Sequence, residues 1–518
     1  MKIEVNILGK DWKTNGKRIY FRGYIVQKDS GKVLKDIDDV KDYIFDDYHK
    51  SLEGEYTYIE EQEGVVCIKT DATKLYPLWY RVFADKIVIT DDIYSLVTED
   101  TKIDKTQRKI FEQNGALLGD ETLFKDIKRV EGIMVFYENP IENYTNIVKD
   151  NPDSSFYIAS PTDETIEKEF CKAIDRAFDV MFSSLSVEQQ IVIPLSGGYD
   201  SRLIACQVKK RGWKNVLAYT MGKDIEGEQN IAREVANKLG FKFVQIDFEK
   251  VVSQGEVDSV SSDLKKCIDF VGQGQNFEWL ADYYAIKYLR SMELLDDSAV
   301  FVPGFCGDVN GGSYHRKLML GCETSVFDLF EKLIALRFER SNPFNLFLYF
   351  KLCFSVNDTW NSMKYFMEQY LPNKILNACR VPFYFGYEVR LPFFNRYFLE
   401  FCYKLPVKYL KKRIVYNEVL MKYYFEPYDV CFKKKETPKS TYIKQYFKSY
   451  VKALLPRCLC VRNKKYVDTV QEIYLATGMR KELVSKGLMK DMDDYLSANE
   501  VMSKYLLTRI KERIAKEG

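Results

Sequence analysis

The stretch that most constrains the fold lies at residues 191–211. A short apolar run, Ile-Val-Ile-Pro-Leu, passes directly into Ser196-Gly197-Gly198-Tyr199-Asp200-Ser201-Arg202 and then into a helix-forming segment ending near Arg211. An apolar run without polar alternation marks a strand buried on both faces, as in a parallel sheet. Two adjacent glycines permit a tight turn and let backbone N–H groups approach a ligand. The helix that follows adds its positive end and its unpaired N–H groups. The turn therefore reads as a phosphate cradle built from Leu195, Ser196, Gly197, Gly198 and Ser201. Asp200 suits such a cradle only with a cation in between, so it is expected to bind Mg2+. The Gly-Lys-Ser/Thr of a Walker A loop is absent.

Around this turn the pattern alternates. Residues 216–220 and 241–246 read as strands, residues 226–239 as the helix between them, and residues 277–294 as a helix leading to a strand at 299–303. Such alternation implies right-handed crossovers and a parallel sheet covered by helices on both faces. All strand ends then share one rim, which brings Thr220, Met221 and a second glycine-rich turn, starting at Gly304, beside the first. Asp308 in that turn is expected to join Asp200 on Mg2+. Residues 18–26, 56–60, 65–70, 78–82, 87–89 and 132–137 read as short strands of a layered structure, and residues 141–161 as a linker. Thr162 and Asp163 then cap a helix running to about Ser183. The expectation is an α/β chain with a layered domain at 1–150, a nucleotide domain at 160–440 and a helical extension at 441–518.

With both turns placed, the chain resembles the asparagine synthetase family, whose synthetase domain carries SGGxDS followed by SGxGxDExxGGY. The similarity continues at Tyr387-Glu388-Val389-Arg390-Leu391-Pro392-Phe393-Phe394-Asn395, like the family's ExRxPFLD, and at residues 398–406, like its helix ending in LP. Residues 71–80 (DATKLYPLWY) resemble its RDxxGxxPLYY segment, and residues 52–56 its LxGxFAF strand. The resemblance implies an Ntn-hydrolase-like αββα domain followed by an adenine nucleotide α-hydrolase-like (PP-loop) domain, with ATP and Mg2+ as cofactors. A small-molecule carboxylate would take AMP from ATP, and ammonia or an amine would then displace AMP. The resemblance also implies a lysine at the phosphates, best matched by Lys435 within Lys433-Lys434-Lys435, and a substrate-contacting Tyr314. His315 is a candidate proton acceptor and Glu388 a candidate polar partner. The structural alternatives are a solvated charge run, a surface histidine and a Glu388–Arg390 salt bridge.

Departures from the pattern bear on the substrate. Lys2, Ile3 and Glu4 stand where the family's glutaminase domain exposes a nucleophilic cysteine, and the first cysteine, Cys67, falls inside an expected strand. The expected nitrogen source is therefore ammonia, a partner glutaminase or a substrate amine, as in the related β-lactam synthetases. Phe305 replaces the family's glutamate, the tyrosine of β-lactam synthetases, which turns the expectation from aspartate toward another amino acid or a sugar acid. Tyr199, Arg202 and Pro303-Gly304 look more like members found in bacterial surface-polysaccharide gene sets. The alternatives are a true asparagine synthetase fed with ammonia, another ATP pyrophosphatase, and a nucleotide-binding protein without turnover. A net charge of +2 over 518 residues argues against a nucleic-acid partner. No apolar run approaches membrane-spanning length, so no membrane partner is expected. Two histidines exclude histidine-rich metal sites, and twelve cysteines without a CxxC pair fit a reducing compartment, the cytoplasm. A homodimer is compatible with all of this.

Overall fold

A computed structural model of the chain describes residues 2–16, 18–28, 30–46, 52–117, 119–137, 163–222, 227–247, 251, 259–276, 280–313, 367–368, 371–374, 379–410, 413–432, 477–490 and 498–517. The expected linker at 141–161 lies outside the described residues.

The N-terminal part contains β1 (Lys2–Asn6), β2 (Lys13–Thr14), β3 (Ile19–Val26), β4 (Val33–Leu34), α1 (Ile37–Asp46), β5 (Glu53–Gln62), β6 (Val65–Thr70), β7 (Trp79–Val82), β8 (Lys86–Thr90), α2 (Lys105–Asn114), β9 (Ile127–Arg129) and β10 (Ile133–Tyr137). They form two sheets, ordered β1-β8-β7-β9 and β10-β6-β5-β3-β2, with β4 paired to β3. Strand alternation explains the layering. Tyr56 and Tyr58 of β5 meet Val40 and Ile44 of α1, while Ile59, on the opposite face, shares a core with Trp79, Ile87 and Ile89 of the other sheet. Ile110 and Phe111 bring α2 into that second core. Asp104 starts α2 by accepting from the N–H groups of Thr106 and Gln107. Helix and sheet layers thus stack as the αββα reading requires.

The second part contains α3 (Asp163–Ser183), β11 (Ile191–Pro194), α4 (Tyr199–Lys210), β12 (Val216–Met221), α5 (Glu228–Leu239), β13 (Lys242–Ile246), β14 (Val300–Phe301) and β15 (Glu388–Val389). Their five strands form one sheet, β13-β12-β11-β14-β15, parallel throughout. Ile191, Val192 and Ile193 of the central β11 are fully buried, as the unbroken apolar run demands. β14, Val300–Phe301, is shorter than expected, although Val302 N beyond it still donates to Val192 O at 2.9 Å.

One hydrophobic core runs through both parts, from Trp12 to Ile510. Polar contacts cross the seam as well. Leu391 N donates to the buried carboxylate of Glu55, and Arg176 pairs with Glu53. The helix Ala498–Glu517 returns to the N-terminal part, where Ser503 Oγ donates to Phe111 O at 3.1 Å. No helix among the described residues is long and apolar enough to cross a membrane. No disulfide joins the described cysteines.

Candidate functional site

The first turn sits where the sequence places it, between the end of β11 and the start of α4. Leu195 N donates to Tyr219 O at 2.7 Å, which anchors the turn to β12. Ser201 Oγ accepts from Ser196 N and lies 3.0 Å from Ser196 Oγ, while Ser196 Oγ accepts from Gly198 N at 3.1 Å. Ser196 is exposed and Ser201 buried, so one hydroxyl faces the rim and the other braces it. Gly197 is needed for close approach. A Cβ there would stand 2.9 Å from the Cα of Glu228, the first residue of α5. Gly198 begins α4 without a side-chain cap, leaving the helix's first N–H groups for a ligand. Thr220 and Met221 end β12 on the same rim, the first buried and the second half-buried.

The second turn packs directly on the first. A Cβ on Gly304 would lie 2.7 Å from Ser201 N. Cys306 adopts a left-handed φ of 70°, and residues Gly307–Asn310 then make one helical turn. Such a conformation in a residue other than glycine carries strain, a common feature of functional turns. Asp308 N donates to Asp200 Oδ2 at 2.9 Å, so the two acidic residues do meet. Two further groups join them that sequence reasoning missed. Tyr416 donates its hydroxyl to Asp200 Oδ1 at 2.9 Å, and Arg413 Nη1 lies 3.4 Å from Asp308 Oδ2. Both belong to the helix Ile414–Leu420 and its N-cap, Arg413, and no motif announces them. The glycines of the second turn make room for this helix, since a Cβ on Gly311 would stand 2.4 Å from the Tyr416 ring.

Burial and the neighbouring Asp308 carboxylate push the Asp200 carboxyl up to about 7. The Tyr416 hydroxyl, buried beside Asp200, is driven well above its usual range. A buried carboxyl held near neutrality by a second acid is a group whose charge a divalent cation would restore. Among the described residues no cluster of three or more His, Cys, Asp or Glu could hold a metal alone. Two carboxylates fit Mg2+, which keeps much of its shell for water and phosphate oxygens.

Glu388 is not brought to this rim, and that expectation is corrected. The parallel register sets Glu388 level with Val300, and Val300 level with Ile191. Glu388 thus starts its strand four residues short of Leu195, roughly 13 Å back at about 3.3 Å per residue. Its carboxylate instead pairs with Arg390 at 2.9 Å, the structural alternative. Phe305, in the position of the family's glutamate, packs half-buried against the core. Tyr314, His315, Lys433, Lys434 and Lys435 lie outside the described residues.

A sequence profile of the family "Asparagine synthase" matches residues 184–513. No curated protein matches the chain. Among solved structures, similarity extends to an NH3-dependent NAD synthetase from Campylobacter jejuni at 20% identity, over 33% of this chain and 65% of that one, with a TM-score of 0.17. The chain therefore spans just under two thirds of that protein's length. It also extends to a U34-tRNA thiolase, NcsA, from Methanococcus maripaludis at 13% identity (68% and 80%, TM-score 0.24). An NMN synthetase from Francisella tularensis shares 13% identity (42% and 92%, TM-score 0.19). At such TM-scores these likenesses carry no argument. The profile does, because it covers well over half of the 518 residues and includes both glycine turns, Asp200, Asp308, Arg413 and Tyr416. On that ground the chain belongs to the asparagine synthase family.

Proposed function

We propose that the chain forms an amide by adenylating a small-molecule carboxylate and passing the acyl group to ammonia or an amine. The observation that carries this reading is the meeting of the two turns, Asp308 N on Asp200 Oδ2 at 2.9 Å, beside the open start of α4. A carboxylate oxygen would attack the α-phosphorus of ATP as the bond to pyrophosphate breaks. The nitrogen lone pair would then attack the acyl carbon, AMP would leave with the C–O electrons, and the nitrogen would lose a proton. Neither step needs a protein nucleophile, so positioning and charge neutralisation dominate.

Ser196, the N–H groups at the start of α4 and Arg413 would hold the departing pyrophosphate, with Asp200 and Asp308 holding Mg2+. Mg2+ would supply neutralisation of the triphosphate charge. Thr220 and Met221, on the rim of β12, would border the nucleoside, Gly304 would keep the two turns in contact, and Lys435 and Tyr314 would complete the site as the resemblance implies. Cys67 lies in mid-strand, paired in register with Glu60 and Val135, which suits a structural thiol better than a nucleophile. Ammonia or an amine, delivered free or by a partner glutaminase, is therefore the nitrogen source we favour. The cytoplasm, with its ATP and reduced thiols, suits the reaction. A true asparagine synthetase is the nearest alternative, and Phe305 speaks against it.

The test is product analysis with a panel of amino acids and sugar acids. AMP and pyrophosphate should appear only with the cognate acid, with 18O passing from its carboxylate to AMP. ADP release, or no turnover with any acid, would sink adenylation. Efficient use of glutamine by the pure chain would sink the nitrogen assignment.

A further inference from the structure

We propose that Arg202 is a positioning residue that couples the phosphate cradle to the segment 430–432, so that filling the cradle tightens that segment; this rests on the nucleotide reading above. Arg202 is fully buried in the first turn of α4. Its Nη2 donates to Gly197 O at 2.9 Å, inside the cradle. Its Nη1 donates to Val430 O at 3.0 Å and to Phe432 O at 2.8 Å, more than two hundred residues away in sequence. The rings of Tyr199, Phe425 and Phe432 surround the guanidinium at 5.2, 5.0 and 5.8 Å.

Its hydrogen-bond partners among the described residues are carbonyls and not carboxylates, and its Nε has no hydrogen-bond partner. Burial pulls its pKa down, which reflects the same cost. An apolar side chain would fill this part of the core more cheaply, as Leu203 and Ile204 do next door. What arginine adds is a rigid fork that grips carbonyls on two separate segments at once.

One of those carbonyls belongs to the loop that would bind phosphate. In a trans peptide the Gly197 carbonyl and the Gly198 N–H point in opposite directions. Holding the carbonyl inward on Arg202 therefore aims the N–H outward, where it now meets Ser196 Oγ. An anion competing for that N–H would act on the same peptide plane that Arg202 grips. Through the guanidinium, the restraint reaches Val430 and Phe432, one residue before Lys433-Lys434-Lys435 in the sequence. The cradle and the approach to the basic run are thus tied by a single side chain.

Hydrogen–deuterium exchange on the full chain tests this, with Mg–pyrophosphate as the probe and calorimetry to measure its binding. In the native sequence, saturating Mg–pyrophosphate should slow exchange of the amides of Val430, Cys431 and Phe432 about tenfold or more. Arg202→Lys keeps the charge but cannot bridge both sides. It should bind Mg–pyrophosphate about tenfold more weakly and, once saturated, show no slowing. Phe432→Ala removes one ring and keeps every carbonyl acceptor, so its slowing should persist. Binding without slowing in the native chain, or full slowing in saturated Arg202→Lys, would overturn the coupling. Should Arg202→Lys fail to fold, the native chain and Phe432→Ala still decide. Absence of any binding by the native chain would overturn the nucleotide reading itself, and calorimetry tells that outcome apart.

Discussion

Gly304→Ala probes the contact between the two turns most directly. A Cβ at Gly304 would stand 2.7 Å from Ser201 N, 3.0 Å from Ser201 Cα and 3.2 Å from the Asp200 carbonyl carbon. All three are backbone atoms in the first turn of α4, so no rotamer change relieves the clash. Carbon atoms pack at about 3.5–4.0 Å, which requires the turns to part by roughly 0.5–1 Å. The 2.9 Å bond from Asp308 N to Asp200 would then stretch toward or beyond the ~3.2 Å limit of a good N–H···O contact. Overpacking of this kind costs about 1–3 kcal/mol. If ~1.4 kcal/mol of that falls on the ligand-bound state, Mg–pyrophosphate affinity drops about tenfold. Calorimetry and thermal melting read both effects. Gly272→Ala is the control, because its Cβ would meet only a Leu506 methyl at 3.7 Å. A Gly304→Ala protein that binds like the native chain and melts like the control would refute the convergence argument.

Three other outcomes follow from the same geometry. Tyr416→Phe removes the hydroxyl that Asp200 Oδ1 accepts from, and should lower stability at pH 8 by about 1.5–3 kcal/mol in the absence of metal; an unchanged melting temperature would count against a charged Asp200 leaning on Tyr416. Mg2+ requires ionised Asp200, whose pKa is pushed up to about 7, so Mg–pyrophosphate affinity should rise with pH up to that value. Calorimetry at pH 6 in buffers of different ionisation enthalpy should find a released proton in the native chain, and a pH-independent affinity would contradict the assignment. Glu55 is pushed up to about 8 by burial, above its unfolded value near 4.3, so the fold favours its protonated form. Stability from that preference is present below pH ~4 and is lost as pH rises through about 8. Glu55→Gln, always neutral, should flatten this loss in melts from pH 5 to 9, and an unaltered slope would disprove it.

The cradle was legible in the sequence because it is local. Residues 195–202 carry strand end, glycine turn and helix start in eight consecutive positions, so their local structure needs no distant partner to be read. Asp308 was legible for a topological reason, since strands of a parallel sheet share one rim. Tyr416 and Arg413 were not legible, because they arrive from a helix whose local pattern is ordinary, and only the packing of Tyr416 against Gly307 and Gly311 and the approach of Arg413 to Asp308 give them a role. Glu388 was misjudged because a motif gives residue identity and not register; the ladder with Val300 sets it at the wrong end of its strand. In the layered part, β1 and β9 escaped notice. β1 exposes both ends, and β9 is three residues long, so neither shows a run long enough to stand out. Arg202 read as a loop residue, yet its function is defined by carbonyls that only the tertiary fold supplies.

The shared core has a mechanical consequence. Because Trp12 and Ile510 belong to one apolar cluster, and the helix Ala498–Glu517 reaches back to α2, the layered part cannot be cut away as a detachable accessory. Excising it would remove Glu55 and Glu53, the partners of Leu391 N and Arg176. Whatever chemistry those layers do or do not perform, they survive as masonry: a wall that must stay up for the part beside it to hold its shape.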